Sequence, residues 1–266
     1  MLFIMKQLKK SQEHFNLEKI QMAIEAENQA FLANFAIFDV IDSTNTYLLA
    51  QAKKGAPAGS ICLAEEQTAG RGRRGRKWIS TAGDNIACSM LWRFPENEDI
   101  SSLSIAVAVM VVYALRKYGV ATGLQLKWPN DVLFEGRKLA GILLERCGDS
   151  IVIGIGLNLY LSPEAESSWM GVYDITGEAV RRNYLAGLLI NELLTQLRVY
   201  QRRGVSAFIE GWRRYDMLQD RHISVHTPEK ILSGTMRGIN NQGELLLQVD
   251  EETVLPFCYG EVSIRF

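Results

Sequence analysis

The chain contains no uninterrupted apolar run of about 18 residues, so nothing in it predicts a membrane-spanning helix. Cysteine is scarce. The four present, Cys62, Cys88, Cys147 and Cys258, stand far apart with no Cys-x-x-Cys pair. This spacing excludes a disulfide scaffold and a zinc ribbon. Each cysteine sits in or beside an apolar run, which predicts small buried hydrophobes in a reducing compartment. The three histidines, His14, His222 and His226, are scattered and build neither a triad nor a metal cluster; the last two would share an exposed strand face. Charge of one sign is also missing. With 29 Lys and Arg against 30 Asp and Glu the net charge is −1, which is not the profile of a nucleic-acid coat or an acidic tail. Internal repeats and low-complexity segments are absent.

What is there is ordinary globular composition: 266 residues, 47% hydrophobic and 22% charged. At about 150 residues per domain this length predicts one and a half to two domains. The opening Met1-Leu-Phe-Ile-Met5 is too short for a signal-peptide core, and Lys6, Lys9 and Lys10 follow it instead of preceding it. A cytoplasmic location is expected.

Hydrophobic periodicity gives the organisation. Residues 11–34 carry Phe15, Ile20, Ile24 and Phe31 at helical spacing, which predicts one or two helices. A short strand follows at 37–41. Asp42-Ser-Thr-Asn45 can cap a helix that runs to Lys54 and stops at Gly55. Strands are expected at 60–66 and 85–94, then a long apolar helix from Ser101 or Ser102 to Tyr118, ended by Gly119. Further strands at 125–128, 132–134, 139–146 and 151–159 are separated by Gly-bearing turns and read as antiparallel hairpins. Two amphipathic helices follow at 183–201 and 205–219. From about Arg221 short alternating strands predict a small all-β barrel. The fold class is therefore α/β (α+β), a mixed and largely antiparallel sheet with flanking helices followed by a little β domain. The expected division is 1–36, 37–219 and 220–266.

One segment departs from the balanced charge. Five of the seven residues from Arg71 to Lys77 are cationic, in the run Gly70-Arg-Gly-Arg-Arg-Gly-Arg-Lys-Trp78. At about 6 Å in water each neighbouring pair repels by roughly 0.7 kcal/mol, which opposes a packed conformation. The expectation is a loop that is mobile alone and ordered by a polyanion. Three readings compete. A merely solvated basic loop has little need of three glycines. Gly70, Gly72 and Gly75 satisfy a dinucleotide fingerprint, but no helix start follows and arginine would crowd the phosphates. Electrostatic capture of a phosphorylated ligand is the third.

A second signature reads Lys127-Trp-Pro-Asn-Asp131, then Arg137-Lys-Leu-Ala-Gly-Ile142. Proline cannot donate to a sheet ladder, so Pro129 should break the strand and turn Asn130 and Asp131 outward. A hairpin through Gly136 would bring Asp131 and Lys138 to one end of the sheet; an incidental ion pair at a turn is the alternative. Gly154-Ile-Gly-Leu-Asn158 ends an apolar strand on a polar amide, which could equally be structural.

Taken together, the Asp42-Ser-Thr-Asn, Gln67-x-x-Gly-Arg-Gly-Arg-Arg-Gly-Arg-Lys-Trp78, Lys127-Trp-Pro-Asn-Asp and Arg137-Lys-Leu-Ala-Gly-Ile segments resemble the biotin protein ligase family, in order and approximate spacing. Gly234-Thr-Met-Arg-Gly238 and Gln242-Gly-Glu-Leu-Leu246 resemble its small SH3-like domain. The bacterial bifunctional members carry an N-terminal DNA-binding domain. Only about 36 residues precede the first core strand here, so no repressor function and no nucleic-acid partner are expected. The resemblance implies a class II synthetase-like fold and ligation in two steps through biotinoyl-5′-AMP, with biotin and ATP as substrates and Mg²⁺ as activator. The acceptor implied is a biotin carboxyl carrier domain, such as that of acetyl-CoA carboxylase. A homodimer paired through its sheets is implied as well.

By the same resemblance Ser43, Thr44, Asn45 and Gln67 would bind biotin, with Arg71, Gly72 and Arg73 over its carboxylate and Lys138 at the reacting oxygens. Arg73, Arg74, Arg76, Lys77, Trp78, Asn130, Asn158 and Trp169 would face the nucleotide. Lys138, Arg73 and Asp131 would be catalytic, Asp131 toward the acceptor lysine. No metal ligands can be named. Lipoate ligases share the general architecture but not this pairing of motifs.

Overall fold

The computed structural model describes residues 13–161, 166–227, 229–258 and the backbone of 263–265. The Met1–Met5 opening and the first third of the expected N-terminal extension lie outside the described residues.

Seven strands form one sheet: β1 (Phe35–Ile41), β2 (Ile61–Gln67), β3 (Asn85–Arg93), β4 (Leu124–Lys127), β5 (Asp131–Phe134), β6 (Arg137–Cys147) and β7 (Ser150–Asn158). Their spatial order is β1-β2-β3-β7-β6-β5-β4. β1 pairs parallel with β2, and every other neighbour is antiparallel. Central strands β3 and β7 are buried almost throughout, as near-continuous apolar runs require when helices cover both faces. The register sorts side chains by face. Cys62, Leu91 and Val152 pack with Leu48 of α3 (Thr44–Lys53). Leu63, Met90 and Ile153 point the other way, into the large core that includes α4 (Leu103–Tyr118) and α6 (Arg182–Arg203).

Twelve of the sixteen residues of α4 are buried, because it lies between the sheet and α6 and has almost no solvent face. Burying each Leu, Ile or Val there contributes roughly 1.5–3 kcal/mol, so this layer dominates stability. Gly119 ends the helix at φ 117, as expected. Neither serine caps its start through the side chain: Ser101 Oγ is spent on Asp99, and Ser102 Oγ lies 3.1 Å from the Tyr200 hydroxyl.

The N-terminal stretch forms two short helices, α1 (Leu17–Gln21) and α2 (Ala26–Gln29), laid along α6. Gly187 permits this approach, since a Cβ there would fall 2.3 Å from the Ile20 carbonyl oxygen. The fully buried Asn28 donates to Asn191 and Thr195, both at 2.7 Å. Beneath the strap Arg182 pairs with Glu65, donates to the Asn85 carbonyl and stacks 3.7 Å from the Phe15 ring.

Three expectations need correction. The helix expected over 205–219 is a 3₁₀ turn (Val205–Phe208) followed by α7 (Ile209–Tyr215). It stops early because Asp216 turns extended and its carboxylate accepts from the Leu218 amide and the Trp212 indole. Among the described residues the terminal strands β8 (His222–His226), β9 (Ile231–Ile239), β10 (Leu245–Gln248), β11 (Val254–Phe257) and β12 (Ser263–Arg265) do not close into a barrel. Among the described residues they form an open sheet, ordered β11-β10-β9-β8-β12, whose short edge strands do not pair with each other. Only Cys62 and Cys88 are buried; Cys147 is half-buried, and Cys258 is exposed because β11 lies at the sheet edge. The short helix α5 (Val172–Thr176) precedes α6.

A polar joint ties the two sheets together. Trp128, in the β4–β5 turn, donates its indole N–H to the Gly243 carbonyl at 3.0 Å. Gly243 stands at φ 83, and a Cβ there would fall 3.1 Å from the Ser102 Cβ, so a side chain at this position would be strained.

Candidate active site

On the α3 face of the sheet lies a cavity of about 380 Å³, a size typical of small-ligand sites. Its back wall follows from the glycines. Gly141, Gly154 and Gly156 share one face of β6 and β7 through the register Gly141↔Gly156 and Leu143↔Gly154. A Cβ on Gly154 would lie 2.2 Å from Asn45 Oδ1, and one on Gly156 would lie 2.3 Å from the Trp78 ring. The Gly-Ile-Gly spacing therefore clears room for an amide and an indole.

The polar floor comes from the start of α3. Ser43 is the N-cap, its hydroxyl accepting from the Thr46 amide at 3.5 Å. Thr44 and Asn45 are buried in the first turn. Gln67, at the end of β2, accepts from the Thr44 amide at 2.9 Å and its hydroxyl at 3.1 Å. Two residues that sequence reasoning missed complete the floor. Ser89, fully buried on β3, donates toward Thr44 Oγ1 at 2.7 Å and Asn45 Oδ1 at 2.6 Å. Glu145, on β6, accepts from Asn45 Nδ2 at 2.8 Å. Their only available signals were a single hydroxyl in an apolar strand and a charge that alternation places on the cavity face.

The Gly70–Trp78 segment, expected to be mobile alone and ordered by a polyanion, lies folded against the protein in the structure. Backbone bonds close it, Gly72 to the Arg76 carbonyl at 2.7 Å and Trp78 to the Gly70 carbonyl at 2.9 Å. The protein supplies partners for its charge. Arg71 Nη2 pairs with both Glu145 oxygens, and Arg73 donates to Asn130 Oδ1 at 2.9 Å. Gly72, Arg76, Lys77 and Trp78 also line the cavity. Arg74 does not: it sits exposed at the tip, at φ 56.

The opposite rim is the β4–β5 hairpin, turned by a cis Trp128–Pro129 bond that sets Lys127 opposite Asp131. Asn130 is held by its bond to the Ile142 carbonyl at 2.8 Å. Lys138 reaches back across Gly141, and its ammonium lies 2.8 Å from Asp131 Oδ1, as the hairpin argument anticipated. The main chain of Lys138 is pinned between the Ser168 carbonyl and the Met170 amide. That pins Trp169 beside it, nearly parallel to Trp78 at 6.4 Å between ring centres. Asn158 is not on the cavity wall; it lies beneath, its amide 3.3 Å from the Lys138 carbonyl oxygen.

Six cationic side chains line the cavity against two carboxylates, Asp131 and Glu166, and even with Glu145 paired to Arg71 behind the lining the space favours anions. Burial lowers the Lys127 pKa, with Lys138 and Arg76 adding to the shift and Asp131 opposing it. The Trp78 indole N–H is buried with no acceptor among the described residues, a donor that a ligand oxygen would satisfy. Among the described residues no three His, Cys, Asp or Glu side chains gather to hold a metal ion.

Residues 37–158 match the biotin/lipoate A/B protein ligase family, and residues 220–265 match the biotin protein ligase C-terminal domain. Over 240 residues the chain is 39% identical to the bifunctional ligase/repressor BirA of Escherichia coli, covering 86% of this chain and 74% of that protein. The chain belongs to the biotin protein ligase family. The biotin–[acetyl-CoA-carboxylase] ligase of Mycobacterium tuberculosis is 35% identical over 84% of this chain and 86% of its own length. The biotin protein ligase of Aquifex aeolicus, solved in complex with biotin and ATP, superimposes with a TM-score of 0.78 at 27% identity, covering 87% of this chain and 98% of that one. In this family setting the glycine-cleared cavity, the arginine loop and the Lys138–Asp131 pair form one contiguous site.

Proposed function

We propose that the chain joins biotin to a lysine of a biotin carboxyl carrier domain, such as that of acetyl-CoA carboxylase, at the expense of ATP. The observation that carries this reading is the convergence of the arginine loop and the β4–β5 hairpin on one small cavity whose far end is neutral and hydrogen-bonding. A carboxylate and a triphosphate repel, and cationic donors at their meeting point offset that repulsion as charge builds at phosphorus.

In the first step a biotin carboxylate oxygen attacks the α-phosphorus of ATP and pyrophosphate leaves, giving biotinoyl-5′-AMP. Ser43, Thr44, Asn45 and Gln67 hold the neutral head of the vitamin. Arg71, Gly72 and Arg73 cover its carboxylate, and Lys138 places its ammonium at the reacting oxygens. Arg76, Lys77, Trp78, Asn130 and Trp169 face the nucleotide. Arg74 and Asn158, off the wall, act at most from outside it. In the second step the lysine amine of the carrier attacks the acyl carbon, AMP leaves with the bonding pair, and Asp131 receives the proton shed by the amine. Mg²⁺ would arrive as part of the nucleotide substrate; among the described residues no cluster of His, Cys, Asp or Glu side chains gathers to hold it.

The chain is organised as an N-terminal extension over 1–36, a catalytic unit over 37–219 and a C-terminal unit over 220–266, working in the cytoplasm. No helix among the described residues is long and apolar enough to cross a membrane. Repression is not part of the proposal, nor is a nucleic-acid partner; pairing of two copies is. Mass spectrometry of a carrier domain incubated with the protein, ATP, Mg²⁺ and either biotin or lipoate tests the function. One biotinoyl group on one lysine is expected. Modification by lipoate alone, or none, would overturn it.

A further inference from the structure

Glu145 is used by neither chemical step above, yet its side chain is only 26% exposed and carries three hydrogen bonds. From it a continuous path of polar contacts runs across the floor of the site. Arg71 meets Glu145, Glu145 meets Asn45, Asn45 meets Ser89, Ser89 meets Thr44, and Thr44 meets Gln67. The path joins the arginine loop to the far end of the cavity, some of it through fully buried atoms.

One link has two settings. Thr44 spends its hydroxyl proton on Gln67 Oε1, so Ser89 has one proton for two acceptors, Thr44 Oγ1 and Asn45 Oδ1. A ligand N–H that bonds Thr44 Oγ1 frees the Ser89 proton for Asn45. That fixes the Asn45 amide with Nδ2 on Glu145, the only orientation that avoids two acceptors facing each other, and Glu145 in turn holds Arg71.

We propose that Glu145 is a positioning residue that couples occupancy of the vitamin pocket to closure of the arginine loop. Its carboxylate reads Asn45 on one side and anchors Arg71 on the other. This rests on the ligase reading, and the two can fail separately: a wild-type chain that forms no biotinoyl-5′-AMP defeats the function, whereas the coupling is judged only on variants of a chain that does form it.

The test measures escape of preformed biotinoyl-5′-AMP from the protein, together with its rate of synthesis at saturating biotin and ATP. In Glu145→Gln the loss of a charge-assisted anchor should speed escape on the order of tenfold while synthesis changes much less. Ser89→Ala should shift escape in the same direction, and Glu145→Asp should restore most of the retention. Because Glu145 acts through Arg71, the double variant R71A/E145Q should leak no faster than R71A alone. Should E145Q fail to fold, S89A and E145D read the same coupling. Unchanged escape in folded E145Q or in S89A, or losses that multiply in the double variant, would overturn the proposal.

Discussion

Replacing Asp131 by asparagine separates the two half-reactions. In the wild-type chain its carboxylate lies 2.8 Å from the Lys138 ammonium and opposite Lys127, whose charge burial already disfavours. Asparagine keeps the shape and removes the counter-charge. Lys138 then loses a charge-assisted bond worth about 1.5–3 kcal/mol, of which its partial exposure returns a share, so adenylate formation should slow about tenfold. Transfer carries an additional burden. A free lysine of pKa about 10.4 is neutral in roughly one molecule of 2,500 at pH 7, a handicap near 4.6 kcal/mol. A positioned base typically contributes about 10² to 10⁴ against such a barrier, so transfer should fall at least about a hundredfold beyond the loss in adenylation. The assay pairs ATP–pyrophosphate exchange with single-turnover transfer from purified biotinoyl-5′-AMP. Equal losses in both would refute the acceptor-side role of Asp131 and leave it as a tether for Lys138.

Three further outcomes follow from the geometry. Arg73→Ala removes the Arg73–Asn130 bond across the mouth of the cavity and should release activated biotin roughly tenfold faster, seen as random labelling of an unrelated lysine-rich protein; no added labelling would remove Arg73 from the closure. Gly156→Ala drives a methyl to 2.3 Å from the Trp78 ring, and an overpacking cost of about 1–3 kcal/mol should weaken biotin binding by about tenfold or more, measured by calorimetry. Unchanged affinity would show that Trp78 does not form the wall. The hydrogen bond that Lys117 donates to Glu192 holds the lysine pKa above its usual value, and Glu192 is almost fully buried. This stabilisation is complete below the unfolded lysine pKa of about 10.5 and is lost as pH rises through the higher folded value. The Tm gap between wild type and Lys117→Met should therefore hold steady from pH 6 to about pH 10 and shrink above it.

Much of this arrangement was legible because its signals are local. A serine before an apolar stretch capped α3, a glycine at φ 117 ended α4, a proline between two β runs marked the β4–β5 turn, and Gly136 turned the next hairpin, which pairs Asp131 with Lys138. What escaped depends on distant registers. Nothing near Glu145 in the chain announces Arg71, 74 residues away, or Asn45, 100 residues away. The sequence shows the crowding of charge within Arg71–Lys77, whereas the partners of Arg71 and Arg73 stand on β6 and the β4–β5 turn. The chain after α7 is captured by a long-range bond, the Met217 amide to the Leu126 carbonyl at 3.0 Å, against an amphipathic pattern that continues to Gln219.

The joint between Trp128 and Gly243 constrains how this protein can be cut or recombined. The indole that reaches out to the C-terminal sheet stands three residues before Asp131, so severing the chain near residue 220 strands a buried donor beside the hairpin that carries the reacting groups. A chimera that exchanged the C-terminal piece for another would have to import a turn presenting the same carbonyl, or lose its grip on the hairpin despite an untouched catalytic half.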